Sequence, residues 1–114
     1  TINFVDSDKL SMMKKSSILI NTSRGPVVNE SDLVDALKSK RIRSAGLDVF
    51  STEPLNLDNP LISLSDIVLM PHLSSATLET RSKMSELAAN NLLLVLQGKK
   101  PITIVNPDVV NSVS

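Results

Sequence analysis

ILINTSRGPVVNESDLVDALKSKRIRSAGLDVF, residues 18–50, is the stretch that decides the fold. It begins with Ile18-Leu19-Ile20, a short apolar run with β-branched content between polar residues, which fits a buried strand. Thr22 to Pro26 follows with Gly25 and Pro26 in a polar setting and predicts a turn or loop. From Asn29 the chain offers a capping side chain, then acids at Glu30 and Asp32, then apolar positions at Leu33, Val34, Ala36 and Leu37. Lys38, Lys40 and Arg41 close this helix, so its charges run in the order that suits the helix dipole. Ser44 to Phe50 predicts a second strand, and strand, helix, strand in this order is a parallel β-α-β unit.

Upstream of that unit, Ser7 to Lys15 predicts a short helix with Asp6 or Ser7 as its cap. Downstream, Pro54, Pro60 and the Asn-Leu-Asp-Asn between them cannot continue regular structure and predict a surface loop. A third strand is expected at Ile67 to Met70. Leu78, Arg81, Met84, Leu87, Ala88, Asn91, Leu92 and Val95 then recur at helical steps, which predicts a long helix over Thr77 to Gln97 with one buried stripe. Ser74 or Ser75 is expected to cap it, and Gly98 and Pro101 to stop it. The run Ile102-Thr103-Ile104-Val105 can add a strand or pack elsewhere. Three strands make only half of an open parallel sheet, which is ordinarily buried on both faces, so the chain is expected to be the carboxyl-terminal part of a longer protein.

Composition removes several classes of function. The 114 residues carry 12 Lys and Arg against 12 Asp and Glu, one His, no Cys, and Phe4 and Phe50 as the only aromatics. Zero net charge with no stacking platform argues against nucleic acid and anionic membranes as partners. The longest apolar runs reach about five residues, against roughly twenty for a membrane span, so a soluble, cytoplasmic protein is expected. Without thiols a structural zinc site is excluded, and no metal is expected. The three glycines form neither G-x-G-x-x-G, nor G-x-S-x-G, nor a P-loop, so the pyrophosphate-binding turn is missing and hydrolase readings have no support.

In an open parallel sheet, ligands bind outside the carboxyl ends of the strands. Each of those ends carries a chemical group here: Arg24 after the first strand, Asp48 and Glu53 after the second, His72 after the third. Arginine grips a carboxylate through a planar fork and polarises a neighbouring carbonyl, and histidine gives or takes a proton. A carboxylate on the other ring nitrogen, such as Glu53, would fix the tautomer. The set suits a carbonyl substrate bearing a carboxylate.

Three ordered strings, INTSRG (residues 20–25), GLDVFSTEP (residues 46–54) and PHLSSAT (residues 71–77), resemble the D-isomer-specific 2-hydroxyacid dehydrogenases. The resemblance runs over residues 7–106, and the strings MSELAANNLL (residues 84–93) and NPLISL (residues 59–64) are most similar to the glyoxylate/hydroxypyruvate reductase branch. It implies an α/β fold, the second half of a Rossmann-like NAD(P)-binding domain with parallel strands, and a long helix returning toward a substrate domain. By position, Arg24 matches the substrate-orienting arginine, Glu53 the acid paired with the histidine, and His72 the proton donor. Asp48 matches the residue beside the nicotinamide, and Thr22, with the turn that includes His72, Ser74 and Ser75, matches cofactor-contacting positions. Where members of that family usually have Gly, after the position of Leu73, this chain has Ser74.

The implied domain plan is residues 1–98 as the carboxyl half of the dinucleotide-binding domain and 99–114 as a tail belonging to the substrate domain. The amino-terminal part with the Gly-rich loop is absent from this plan. The implied cofactor is NAD or NADP, with NADPH favoured, and the implied substrate a small 2-oxoacid such as glyoxylate or hydroxypyruvate. The complete protein is expected to be a homodimer. Two alternatives stand beside the enzyme: an NAD-binding corepressor of the same fold, and an inactive fragment.

Overall fold

A computed structural model describes residues 1–108 and divides into two compact units, one spanning Thr1–Ser74 and a second beginning at Ser75. In the first unit, helix α1 covers Ser7–Met12, strand β1 Ile18–Asn21, helix α2 Glu30–Lys38, strand β2 Ser44–Leu47 and strand β3 Ile67–Leu69. The sheet order is β1-β2-β3 and both pairings are parallel. Register sets Leu19 beside Ala45 and Ala45 beside Ile67, with Asn21 beside Leu47 and Leu47 beside Leu69 one row further on. The three strands therefore end at one edge, as the sequence pattern anticipates.

The helices form where the caps place them. The Asp6 side chain accepts from the Lys9 amide to open α1, and the Asn29 side chain accepts from the Asp32 amide to open α2. Helix α2 buries Leu33, Val34, Ala36 and Leu37, which join Leu10, Ile42, Ala45, Leu47, Phe50 and Leu61 in one core. Leu10, Leu33, Ile42 and Leu61 are each fully buried, and each contributes about 1.5–3 kcal/mol by leaving water. Leu61 lies in a 3₁₀ turn, Pro60–Ser63, inside the connection from β2 to β3, so that loop is anchored rather than free. Glu30, at the start of α2, accepts from the Ser51 amide at 2.6 Å and from the Asn59 side-chain amide at 3.3 Å.

Several elements differ from the expectation. Strand β2 stops at Leu47 instead of Phe50, because Asp48, Val49 and Phe50 already turn into the loop while remaining buried. Only one sheet face is covered by core: Ile18, Ile20 and Val68, which share the other face, are exposed. A strand buries both sides only when a second layer stands against it.

In the second unit, α3 runs Leu78–Leu96 and its cap is Thr77, whose side chain accepts from the Thr80 amide; neither Ser74 nor Ser75 caps it. All three hydroxyls can cap, and what selects Thr77 is that it is the last extended residue before the helical turn. The expected buried stripe is not realised, since α3 buries none of its residues. Amphipathic spacing creates an apolar stripe, but burial needs a facing surface. The Ile102–Val105 run forms no strand. Instead the amides of Ile102 and Thr103 donate to the Asn91 side-chain oxygen, tying this segment to α3. Residues 109–114, the end of the expected tail, lie outside the described residues.

Candidate active site

The carboxyl ends of the strands collect the chemistry in the first unit. His72 Nδ1 lies 2.8 Å from Glu53 Oε2, the pairing that the resemblance implies. The other oxygen of Glu53 accepts from the Phe50 amide at 3.0 Å, so this carboxylate is fixed at both ends. The bond from His72 is the main cause of a Glu53 carboxyl held below its ordinary value, followed by the Phe50 amide, with the Arg24 charge adding a smaller effect. An anionic Glu53 takes the Nδ1 proton as acceptor and leaves Nε2 as the ring atom free to exchange a proton with a ligand.

His72 has φ 56°, in the left-handed region that side chains other than glycine seldom occupy. Such backbone costs on the order of 1–3 kcal/mol and persists only where the surroundings dictate it. Here Asp48 dictates it. Its carboxylate accepts from the amides of Leu73 at 2.7 Å and Ser74 at 2.8 Å, while the residue itself is 5% exposed. Ser74 takes no positive φ, so its side chain is accommodated, and the unusual conformation falls on the histidine.

The Leu73 amide is the largest cause of an Asp48 carboxyl held below its ordinary value, and burial opposes it. Because the folded value lies below the unfolded one, the stabilisation is complete above about pH 4 and is lost as pH falls through the lower folded value. Urea midpoints are therefore expected to be flat near neutrality and to fall below about pH 4. Asp48→Asn, which sets an NH₂ against one of the two amides, should lower the midpoint at neutral pH and flatten its acid limb. An unchanged acid limb would remove Asp48 as the grip on this turn.

Arg24 is exposed on the loop after β1, and its guanidinium donates to the Ser23 carbonyl at 2.6 Å. A cleft of about 410 Å³ opens beside the acid–base pair, lined by His72, Glu53 and the apolar side chains of Phe50, Pro54, Leu55, Leu69, Met70 and Pro71. Arg24 does not line it. Thr22 and Ser74 are exposed at the ends of β1 and β3, and Ser75 belongs to the second unit. Among the described residues no cluster of His, Cys, Asp and Glu could hold a metal ion, and no helix is long and apolar enough to cross a membrane.

Sequence reasoning missed Asn21, Gly25 and Glu30. Asn21 and Glu30 bind the backbone of the two loops that carry Arg24 and Glu53. A polar residue closing an apolar strand, as Asn21 does, is the one local signal available, because a buried amide must find partners.

A parallel α/β unit with a histidine–carboxylate pair at the carboxyl ends of its strands defines a class of domain that works on small ligands at the sheet edge. The chain belongs to a family within that class: residues 1–74 match the model described as D-isomer specific 2-hydroxyacid dehydrogenase, NAD binding domain. It is 49% identical over 109 residues to glyoxylate reductase of Thermofilum pendens, covering 96% of this chain and 32% of that protein. It is 49% identical over 107 residues to glyoxylate/hydroxypyruvate reductase B of Serratia proteamaculans, covering 94% and 33%. Among solved structures, an NADPH-dependent glyoxylate/hydroxypyruvate reductase from Sinorhizobium meliloti, in complex with NADP and malonate, superposes with a TM-score of 0.82. Identity there is 39%, over 90% of this chain and 32% of that one. The chain thus spans about a third of the length of the curated relatives it matches.

Proposed function

We propose that this chain carries the proton-transfer and carboxylate-binding groups of a longer NAD(P)H-dependent reductase that converts a 2-oxoacid, glyoxylate or hydroxypyruvate, to the D-2-hydroxyacid. The observation that carries the reading is the 2.8 Å contact of His72 Nδ1 with Glu53 at the strand ends. The names of the relatives above point to the same substrates.

The strand-end positions fit the nicotinamide end of a dinucleotide: Thr22 and Ser74 present exposed side chains there, and Asp48 holds the turn at Ser74, while Ser75 is read as a cofactor contact from its position in the sequence alone. No Gly-rich turn for the pyrophosphate occurs in the 114 residues, so that end belongs elsewhere in the complete protein. When bound, a nicotinamide cofactor would supply the hydride for the carbonyl carbon. This chain does the rest: Arg24 holds the substrate carboxylate, His72 Nε2–H gives its proton to the carbonyl oxygen, and Glu53 faces the imidazolium before that transfer. The NADP bound by the Sinorhizobium enzyme favours NADP over NAD here. In this reading residues 1–98 are the carboxyl half of the cofactor domain, 99–114 lead into the substrate domain, and the complete protein is a homodimer.

The test is oxidation of NADPH or NADH by the native polypeptide with glyoxylate or hydroxypyruvate. Turnover with either supports the reading; no oxidation with any 2-oxoacid and either cofactor overturns it. Arg24→Lys should lower kcat/KM roughly ten- to hundredfold, because an ammonium cannot reproduce two parallel hydrogen bonds to a carboxylate. A variant with wild-type kinetics would take the arginine out of the site.

A further inference from the structure

Asn21 and Asp48 are the two polar residues buried in the core of the described chain, at 6% and 5% exposure. They stand at the ends of adjacent strands and are joined through the backbone, the Asp48 amide donating to the Asn21 carbonyl at 3.0 Å. Asp48 spends its side chain on the turn behind His72. Asn21 does the corresponding thing for the other chemical loop. Its Oδ1 accepts from the Ser23 amide at 3.1 Å and from the Ser23 hydroxyl at 2.9 Å, and its Nδ2 donates to the Arg24 carbonyl at 3.0 Å. Every side-chain bond of this buried amide therefore goes to the two residues that set where Arg24 leaves the sheet.

We propose that Asn21 is a positioning residue for Arg24, fixing the start of its side chain so that the guanidinium fork meets the substrate carboxylate. The inference rests on Arg24 being the carboxylate-binding group proposed above. An amide is the side chain suited to the task. It accepts from one backbone group and donates to another in a single plane, whereas a carboxylate would face the Arg24 carbonyl without a proton to offer. The loop is also held on its far side, where Gly25 is buried against the Phe50–Ser51 peptide, so the position of Arg24 is bounded before and after. Displacing a binding group by about 1 Å can cost roughly a hundredfold in rate, even when the altered residue never touches substrate.

The experiment is a double-mutant cycle in the native polypeptide, using Asn21→Ala, Arg24→Ala and the pair, with 2-oxoacid kinetics and titration of reduced cofactor. Asn21→Ala should raise KM for the 2-oxoacid and lower kcat/KM roughly ten- to hundredfold, with cofactor affinity kept. On the Arg24→Ala background the same change should have almost no further effect, since the fork it aims is already gone. A purely structural role would give an equal loss on both backgrounds and would overturn the proposal. So would a wild-type KM in Asn21→Ala while Arg24→Ala is impaired. If Arg24→Ala itself is unimpaired, the arginine reading falls and takes the inference with it, a result distinct from the other two. Should Asn21→Ala not fold, Asn21→Asp decides: it keeps the volume and the bonds from Ser23 but loses the donor, so an intermediate rise in KM is expected, and an unchanged KM overturns the proposal.

Discussion

Replacing His72 with alanine in the native polypeptide is expected to lower kcat for the 2-oxoacid by roughly 10²–10⁴-fold. The size follows from what is removed. A ring whose Nδ1 is committed to Glu53 at 2.8 Å presents one oriented Nε2, and proton delivery to a developing alkoxide contributes rate of that order. Alanine also disturbs the backbone, because position 72 sits at φ 56°. Asn separates the two effects, being among the residues that tolerate the left-handed region while lacking a group that can carry the proton. His72→Asn should therefore keep the turn, measured as an unchanged unfolding midpoint, and still lose turnover to a similar degree. Stopped-flow or steady-state oxidation of the reduced cofactor reads the first quantity and urea titration the second. Full turnover in His72→Asn would assign proton delivery to another group.

Much of this site was legible in the sequence because its parts are local or ordered along the chain. Asn29, Glu30 and Asp32 followed by the Leu33-Val34 and Ala36-Leu37 pairs fix the start and the buried face of α2 within two turns. The order of strands and loops is readable for the same reason, though the exact end of β2 is not, and the sheet edge then brings Glu53 and His72 together. What was not legible depends on contacts between distant segments. The grip of Asp48 on Leu73 and Ser74 joins residues 25 and 26 positions apart, and the hold of Glu30 on Ser51 spans 21. Propensity cannot report such bonds, since Asp after a strand and Glu opening a helix have good local explanations of their own. The stripe on α3 is the reverse case: spacing announces an apolar face correctly, and burial is decided by what stands opposite it.

Gly25→Ala is expected to be the most damaging of the glycine substitutions, lowering stability by about 3 kcal/mol or more and abolishing most 2-oxoacid turnover with it. A Cβ at Gly25 would overlap the carbonyl carbon and oxygen of Phe50 and the amide nitrogen of Ser51. These are backbone atoms, so no side chain can swing away to make room, and Phe50 itself is buried. The loops after β1 and β2 would have to separate. The same peptide leads directly to Glu53, whose Oε1 depends on the Phe50 amide, and Ser51 is tied to Glu30, so the displacement passes into the acid–base pair rather than dissipating. Conformation is not the cause, since Gly25 has no positive φ; close approach of two backbone segments of the chain is. The comparison that isolates this cause is Gly46→Ala in the middle of β2, where a Cβ would meet only Ile20 Cγ1 at 3.8 Å, an ordinary contact. Chemical denaturation of the two variants should give a large loss for the first and little change for the second. A Gly25→Ala protein with wild-type midpoint and turnover would mean that the two loops are not in contact, and the placement of Arg24 against the Glu53 loop would have to be redrawn.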